Sequence, residues 1–355
     1  MKSIERMTKQ NQKAVTKKKR KDPLNRVLNM LLGFVLFCVL LVGTLIGVKE
    51  YRDERKMDLS FAFSRDSLLK RDPLDLSSVS LADSFAKGLC VSEASVAYAD
   101  LQVGSSEKAG LFDLDDKSTL FAQGVYDRVY PASITKIMTA MLALEYNHPD
   151  ELVTILEEDL ALEEGSQMSG MKAGDTVTMD QLFHTLMVYS ANDAAMAIAR
   201  VVGGSVDQFV QMMNDKALSL GMTGTHFVNP HGLHDENHYT TAYDVYLMLN
   251  AAFRDPQFQA VMGMPSYSLS VTHEDQSTSP IYLTSTDKYL TGEKSVPEGV
   301  IVLGGKTGTT SQAGACLAIA SQNAYGEPFI SVILNAKTKE ALYGDMSLLL
   351  SKIND

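Results

Sequence analysis

Hydrophobic and polar positions divide the chain into stretches of different texture. Val27 to Val48 is a run of 22 residues without a charge, bounded by Arg26 and Lys49. At 1.5 Å per residue a helix of that length reaches about 33 Å, enough to cross a hydrocarbon core of roughly 30 Å. Secretory signal cores are shorter and end at a small-residue cleavage site, which is not found after Val48, so the run is expected to be an uncleaved transmembrane helix. From Lys49 to about Gly88 the pattern is charged and interrupted, with Arg52 to Lys56 mixed in sign and Asp72-Pro73 and Ser77-Ser78 following, which predicts a stalk. Val96-Ala97-Tyr98 and Ala109 to Leu114 read as strands, and Asp115 to Ser118 as a turn into a strand over Thr119 to Ala122. Ala132 to Tyr146 is apolar and helix-favouring, with Pro131 at its start, where a missing N–H costs little. Further helices are expected at Met179 to Val188, Asp193 to Val202, Ser205 to Leu220 and Thr241 to Phe253. After about Ser266 the texture returns to strands at Tyr267 to Val271, Ile281 to Thr284, Val300 to Thr309, Ala315 to Ser321 and Pro328 to Asn335, closed by a helix from Lys339 to Lys352. Strands at both ends with helices between them predict an α+β domain, with one antiparallel sheet built from the two ends and a helical subdomain packed on it.

Length and composition fit that division. The 355 residues are 45% hydrophobic, ample for a sizeable core. The net charge of −11 conceals a split: residues 1–26 hold ten Lys and Arg against Glu5 and Asp22, a net +8, which leaves −19 for the rest. A short basic arm ahead of an acidic domain points to two compartments rather than to a nucleic-acid binder. By the positive-inside rule the arm stays cytoplasmic and everything after Lys49 lies outside, so a single-pass cell-membrane protein is expected. The divisions are a basic arm at 1–26, an anchor at 27–48, a stalk at 49–92 and one domain at 93–355. Three cysteines, Cys38, Cys90 and Cys316, do not make a disulfide framework; Cys90 and Cys316 are read as free thiols, with a pairing between them the alternative that the sequence leaves open.

The chemistry starts at Ser133-Ile134-Thr135-Lys136. Residues three apart on a helix share a face, so this spacing holds a hydroxyl beside an amine that takes its proton once burial keeps the amine neutral. Ser190-Ala191-Asn192 lies in a break between helical patterns 57 residues after Ser133, and Lys306-Thr307-Gly308-Thr309 lies on an expected strand 116 residues beyond Ser190. Taken singly, Ser190 and Asn192 suit helix caps and Lys306 to Gly308 suits an edge strand. In this order the three are the signature of penicillin-binding proteins and class A β-lactamases.

With its flanks the chain resembles one branch of that group, the serine-type D-alanyl-D-alanine carboxypeptidases. The likeness covers some two-thirds of the chain, from about Ala109 onward. It rests on Tyr130 to Thr139, Asn192-Asp193-Ala194-Ala195, Met213-Asn214, Leu220-Gly221-Met222 and Thr225-His226-Phe227-Val228-Asn229-Pro230-His231-Gly232-Leu233. The resemblance implies a β-lactamase/transpeptidase-like fold and hydrolysis of the terminal D-Ala-D-Ala bond of peptidoglycan stem peptides, with β-lactams as covalent inhibitors and no cofactor or metal. It implies Ser133 as nucleophile, Lys136 as base and Ser190 as proton relay. Asn192 would hold the substrate's peptide group, Lys306 and Thr307 its free carboxylate, and Gly308 would allow close backbone approach. The N–H groups of Ser133 and Thr309 would meet the oxyanion. One departure is Ala191, where the family usually has glycine; the added methyl is expected to bear on the cleft.

Other functions leave recognisable traces. A class A β-lactamase needs a deacylating glutamate, and no E-x-x-L-N segment lies between Asn192 and Lys306; Glu236 is the acidic residue nearest a suitable loop. A D,D-endopeptidase uses the same site. A non-catalytic stem-peptide receptor remains the alternative of another class, opposed by intact Ser133, Lys136, Ser190 and Lys306. His226, His231, His234 and His238 invite a metal reading, but the segment matches the carboxypeptidase pattern instead.

Overall fold

The structure is a computed structural model that describes residues 88–355. The basic arm, the apolar run at 27–48 and the stalk up to residue 87 lie outside the described residues. Within the described residues no helix is long and apolar enough to cross a membrane.

Ten strands and eight helices make up these residues. The strands are β1 (Ser95–Val96), β2 (Lys108–Asp113), β3 (Ser118–Gln123), β4 (Leu152–Thr154), β5 (Thr176–Thr178), β6 (Ser266–Thr272), β7 (Thr278–Thr284), β8 (Ile301–Thr310), β9 (Gly314–Gln322) and β10 (Pro328–Ala336). The helices are α1 (Lys136–Tyr146), α2 (Glu157–Leu160), α3 (Met179–His184), α4 (Asn192–Gly203), α5 (Val206–Ser219), α6 (Ala242–Ala252), α7 (Pro256–Met262) and α8 (Lys339–Ser351).

The main sheet runs β1-β3-β2-β10-β9-β8, every pair antiparallel, and joins the two ends of the domain where β2 meets β10. Strand β10 shows why it is central. Its residues alternate between the two faces with period two, so Ile330, Val332 and Leu334 enter the core shared with α1 and α6, while Phe329 and Ile333 enter a second core with Leu342, Met346, Leu349 and Leu350 of α8. Helix starts are fixed by hydroxyl and carboxylate caps: Ser205 accepts from the Gln208 N–H, Thr241 from Asp244 and Thr338 from Ala341, and Asp255 caps α7 with Pro256 in its first position.

Three expectations need correction. The strands do not form one sheet: β6 and β7 pair with each other and reach β5 through Thr176 and Thr272, giving a separate sheet β4-β5-β6-β7. Strands β4 and β5 are three residues each, too short to show an alternating pattern. The packed domain also starts ahead of the expected boundary at residue 93. Cys90 is 1% exposed; its N–H donates to the Tyr246 hydroxyl at 2.8 Å, its thiol to the Asp113 carbonyl at 3.0 Å, and its carbonyl accepts from the Tyr243 hydroxyl at 2.8 Å. Cys90 and Cys316 are both free and buried, as expected. Finally, Ser133 is not in the first turn of an α-helix. Ala132–Thr135 is a 3₁₀ turn and α1 begins only at Lys136. Side chains three apart eclipse on a 3₁₀ turn, which sets Ser133 and Lys136 more directly in line than α geometry would.

Candidate active site

The three motifs meet at one cleft of about 160 Å³, lined by Ser133, Gln167, Ser190, Thr286, Lys288, Thr307, Gly308, Thr309, Lys339 and Tyr343 among others. Each motif arrives on a different element: the 3₁₀ turn before α1, the bend between α3 and α4, and strand β8.

Lys136 is fully buried, and its Nζ touches three oxygens: Ser133 Oγ at 3.0 Å, Asn192 Oδ1 at 2.6 Å and the His231 carbonyl at 2.8 Å. A neutral amine has two hydrogens and one lone pair. Asn192 and His231 offer only acceptors and take the two hydrogens, so the lone pair faces the Ser133 hydroxyl, the one contact able to donate. Burial holds Lys136 well below the ordinary lysine range, the nearby Lys306 pushes the same way, and Asp193 opposes them.

The Ser133 turn is held by backbone geometry. Ala132 adopts φ +48°, a left-handed conformation costly for a residue with a side chain. Its carbonyl accepts from Thr135 Oγ1 at 2.8 Å, and Thr135 Oγ1 is 2.8 Å from His238 Nε2. Because His238 Nδ1 accepts from the Val228 N–H at 3.1 Å, Nε2 carries the ring proton and donates to Thr135. Burial brings His238 down to about 4, so it stays neutral and keeps that tautomer at neutral pH. Gly232, at φ +89°, presses against the Ala132 carbonyl so closely that a Cβ there would overlap it. The Thr225 to Leu233 segment therefore supports the Ser133 turn, and one ring nitrogen of each of its histidines is engaged by backbone: His231 Nδ1 accepts from the Leu233 N–H, and His226 Nδ1 meets the Asn237 carbonyl.

Ser190 follows a π-helical turn, Thr185–Tyr189, and lies at φ +65°. That reversal brings its hydroxyl to Lys306, whose Nζ donates to Ser190 Oγ at 2.7 Å and to the Thr307 carbonyl at 3.0 Å. Asn192 and Asp193 are locked by the loop between α2 and β5: Asn192 N–H donates to the Gln167 carbonyl at 2.7 Å, and Ser169 donates to the Asp193 carboxylate through its N–H and hydroxyl. Gly308 lies against the Ser133 turn, where a Cβ would sit 2.9 Å from Ser133 N and 3.0 Å from the Pro131 carbonyl. Thr309 follows at the cleft wall.

Four expected positions differ from the sequence reading. Lys306 does not face the cleft but is fully buried behind Ser190, and burial brings it to about 7, with Asp287 opposing. Asn192 Oδ1 is occupied by Lys136, which leaves only its amide nitrogen for a ligand. The Ala191 methyl is fully buried in the core, at an ordinary φ of −66°, and does not narrow the cleft. Glu236 belongs to another cavity, with Arg128 and Tyr239. The sequence did not single out Gln167, Thr286, Lys288 or Lys339. They come from loops and helix starts with no periodic pattern; Thr286 accepts from the Thr307 hydroxyl at 2.6 Å, and only the fold brings it there.

The chain and its fold are similar to known proteins. The family model for D-alanyl-D-alanine carboxypeptidases matches residues 93–338. Among curated relatives, D-alanyl-D-alanine carboxypeptidase DacF of Bacillus subtilis is 28% identical over 253 residues, covering 69% of this chain and 61% of the relative. DacC of Escherichia coli is 29% identical over 251 residues, covering 68% of this chain and 59% of the relative. The chain thus spans about three-fifths of the length of these curated relatives. Among solved structures, the Streptomyces K15 DD-transpeptidase superposes with a TM-score of 0.65 at 25% identity, covering 71% of this chain and 97% of that one. A D-alanyl-D-alanine carboxypeptidase from Mycobacterium tuberculosis gives 0.63 at 25% identity, covering 73% and 94%. The fold is the α+β arrangement of penicillin-binding transpeptidases, with antiparallel sheets and helices, and with the family model matched from the docked N-terminal segment to the start of α8, the chain belongs to the D-alanyl-D-alanine carboxypeptidase family.

Proposed function

We propose that the chain is a serine D,D-carboxypeptidase that removes the terminal D-alanine from peptidoglycan stem peptides. The observation that carries this reading is the set of contacts around Lys136 Nζ, which leaves its lone pair for Ser133. Lys136 takes the Ser133 proton as Oγ attacks the penultimate D-alanine carbonyl. The oxyanion meets the N–H groups of Ser133 and Thr309. The C–N bond then breaks as the leaving nitrogen takes a proton from the Ser190 hydroxyl, which is resupplied from Lys306 or Lys136. Water hydrolyses the resulting ester. With Lys306 buried and the Thr307 hydroxyl donating to Thr286, the substrate's free carboxylate meets the cations at the cleft wall, Lys288 and Lys339. A β-lactam, whose strained amide resembles this bond, is expected to acylate the same serine.

A fluorescent penicillin should label the wild-type protein covalently, and Ser133→Ala should abolish the label. Folded wild-type protein that stays unlabelled would sink the reading. Release of D-alanine from a stem pentapeptide, set against hydrolysis of the β-lactam, separates carboxypeptidase from lactamase.

The uncharged run at 27–48 and the basic arm before it support a single-pass membrane protein with a cytoplasmic N-terminus and its domain on the cell-wall side. Mass spectrometry of the mature protein should find the arm still attached. A mature N-terminus near Lys49 would show a cleaved signal instead.

A further inference from the structure

A second cavity, of about 320 Å³, opens past the end of β8 and has no part in the proposed reaction. Tyr130 and Gln312 line it and tie it to the cleft, because Tyr130 is three positions before Ser133 and Gln312 three after Thr309. At no more than about 3.6 Å per residue, its near wall lies within about 11 Å of both oxyanion donors. The two segments run against each other: a Cβ on Gly308 would stand 3.0 Å from the Pro131 carbonyl, and Cys316 Sγ lies 3.9 Å from the Tyr130 carbonyl. Arg128 and Glu236 put one cation and one anion on the same cavity wall. The Arg128 Cζ lies 4.4 Å over the centroid of the Tyr239 ring, a contact that fixes the guanidinium while leaving its in-plane donors for a ligand. The backbone beneath is rigid, since Val129 and Thr240 exchange N–H···O bonds of 2.9 Å and Tyr239 does the same with His226. Glu236 sits in a turn closed by Asp235, which accepts from the Asn237 N–H at 2.7 Å and, through its carbonyl, from the His238 N–H at 3.0 Å. Neither Arg128 nor Glu236 has an ion-pair partner among the described residues.

We infer that this cavity is the subsite for the stem-peptide residue just before the penultimate D-alanine, and that it selects a long side chain ending in both a carboxylate and an ammonium. The inference rests on the acyl-transfer reading of the cleft. With the scissile carbonyl at the N–H groups of Ser133 and Thr309, the leaving D-alanine takes the side of Lys288 and Lys339, and the acyl portion continues the other way, toward Tyr130 and Gln312. One further residue step of about 3.8 Å and an extended side chain together span the distance to the cavity. The side-chain carboxylate then meets the Arg128 guanidinium, whose parallel donors suit its two oxygens, and the ammonium meets Glu236. A side chain with only an amine gains one of these contacts. An apolar one gains neither. Arg128 and Glu236 are exposed, so water and salt screen them, and each contact is expected to contribute about 3–10-fold in kcat/KM.

The test is D-alanine release by the wild-type chain from pentapeptides that differ only in the third residue: a diamino dicarboxylic residue, its side-chain amide, lysine and norleucine. Amidation should lower kcat/KM about 3–10-fold, lysine should match the amide, and norleucine should lose a similar factor again. In Arg128→Gln the ratio of the free to the amidated peptide should fall toward one, and in Glu236→Gln the ratio of the lysine to the norleucine peptide should do the same. Each ratio is taken within one variant, so a reduced active fraction cancels. Equal kcat/KM for all four peptides, or ratios that stay unmoved in the variants, overturns the inference. Where a variant fails to fold, the wild-type series decides it. Wild-type protein that releases no D-alanine and takes no penicillin label overturns the reading of Ser133 instead. The inference is then decided by calorimetric binding of the matching tetrapeptides, for which the free diamino dicarboxylic form should bind about 3–10-fold tighter than its amide and equal affinities overturn it.

Discussion

Lys136→Met is expected to slow acylation of Ser133 by a factor of about 10²–10⁴, the usual contribution of a positioned general base. Methionine matches the length and apolar stem of lysine, so the site keeps its shape while Ser133 loses its proton acceptor. Two costs accompany the change, since Asn192 Oδ1 and the His231 carbonyl lose their donor at about 1–3 kcal/mol each. Removal of a buried amine offsets part of that. The folded protein should therefore persist, as circular dichroism would verify, while labelling by a fluorescent penicillin becomes slow at every pH. Wild-type protein should lose activity as pH falls through the Lys136 titration, because the base must be neutral. Burial and Lys306 set that limb well below the ordinary lysine range. Lysine-like acylation rates in Lys136→Met would transfer the role of base to another group.

Gly232→Ala should damage both stability and rate, although Gly232 touches no substrate. Its φ of +89° disfavours any side chain, and the new methyl would collide with the Ala132 carbonyl, a backbone atom with nowhere to retreat. Strain and overpacking together predict a loss of about 2–4 kcal/mol. The displaced carbonyl belongs to the peptide whose N–H is that of Ser133. A shift there of about 1 Å moves nucleophile and oxyanion donor together, for which a loss of about 10² in acylation rate is expected. Urea denaturation and labelling kinetics of the folded fraction measure the two effects separately. A variant that acylates at the wild-type rate would show that the turn is not held from this side.

Much of this site was legible because its chemistry sits on regular elements. Ser133 with Lys136 and Lys306 with Thr307 lie where spacing along a turn or a strand determines which side chains share a face, and the order of the motifs supplied the rest. What the sequence could not show was depth. A strand pattern assigns Lys306 to one face of β8, but whether that face meets solvent or Ser190 depends on the left-handed turn at Ser190, a conformation no local pattern announces in a non-glycine residue. The same holds for Ala132. The second sheet escaped notice because two of its strands are three residues long. Thr286 was unremarkable in sequence because its place in the cleft comes wholly from β8 lying beside it.

The main sheet unites strands from opposite ends of the domain, with β2 paired to β10 and the Lys306 strand at the far edge. Ser133 and Lys136 are consequently translated about 170 residues before the strand that completes their site. A growing chain released as far as β7 holds the serine and the amine but neither Thr309 nor Lys306, and it lacks the central strand on which α6 rests. Contacts so distant in sequence form late and slowly. Under the proposed reading, synthesis order would act as a timer, with Ser133 lacking Lys306 and Thr309 until the final strands have joined.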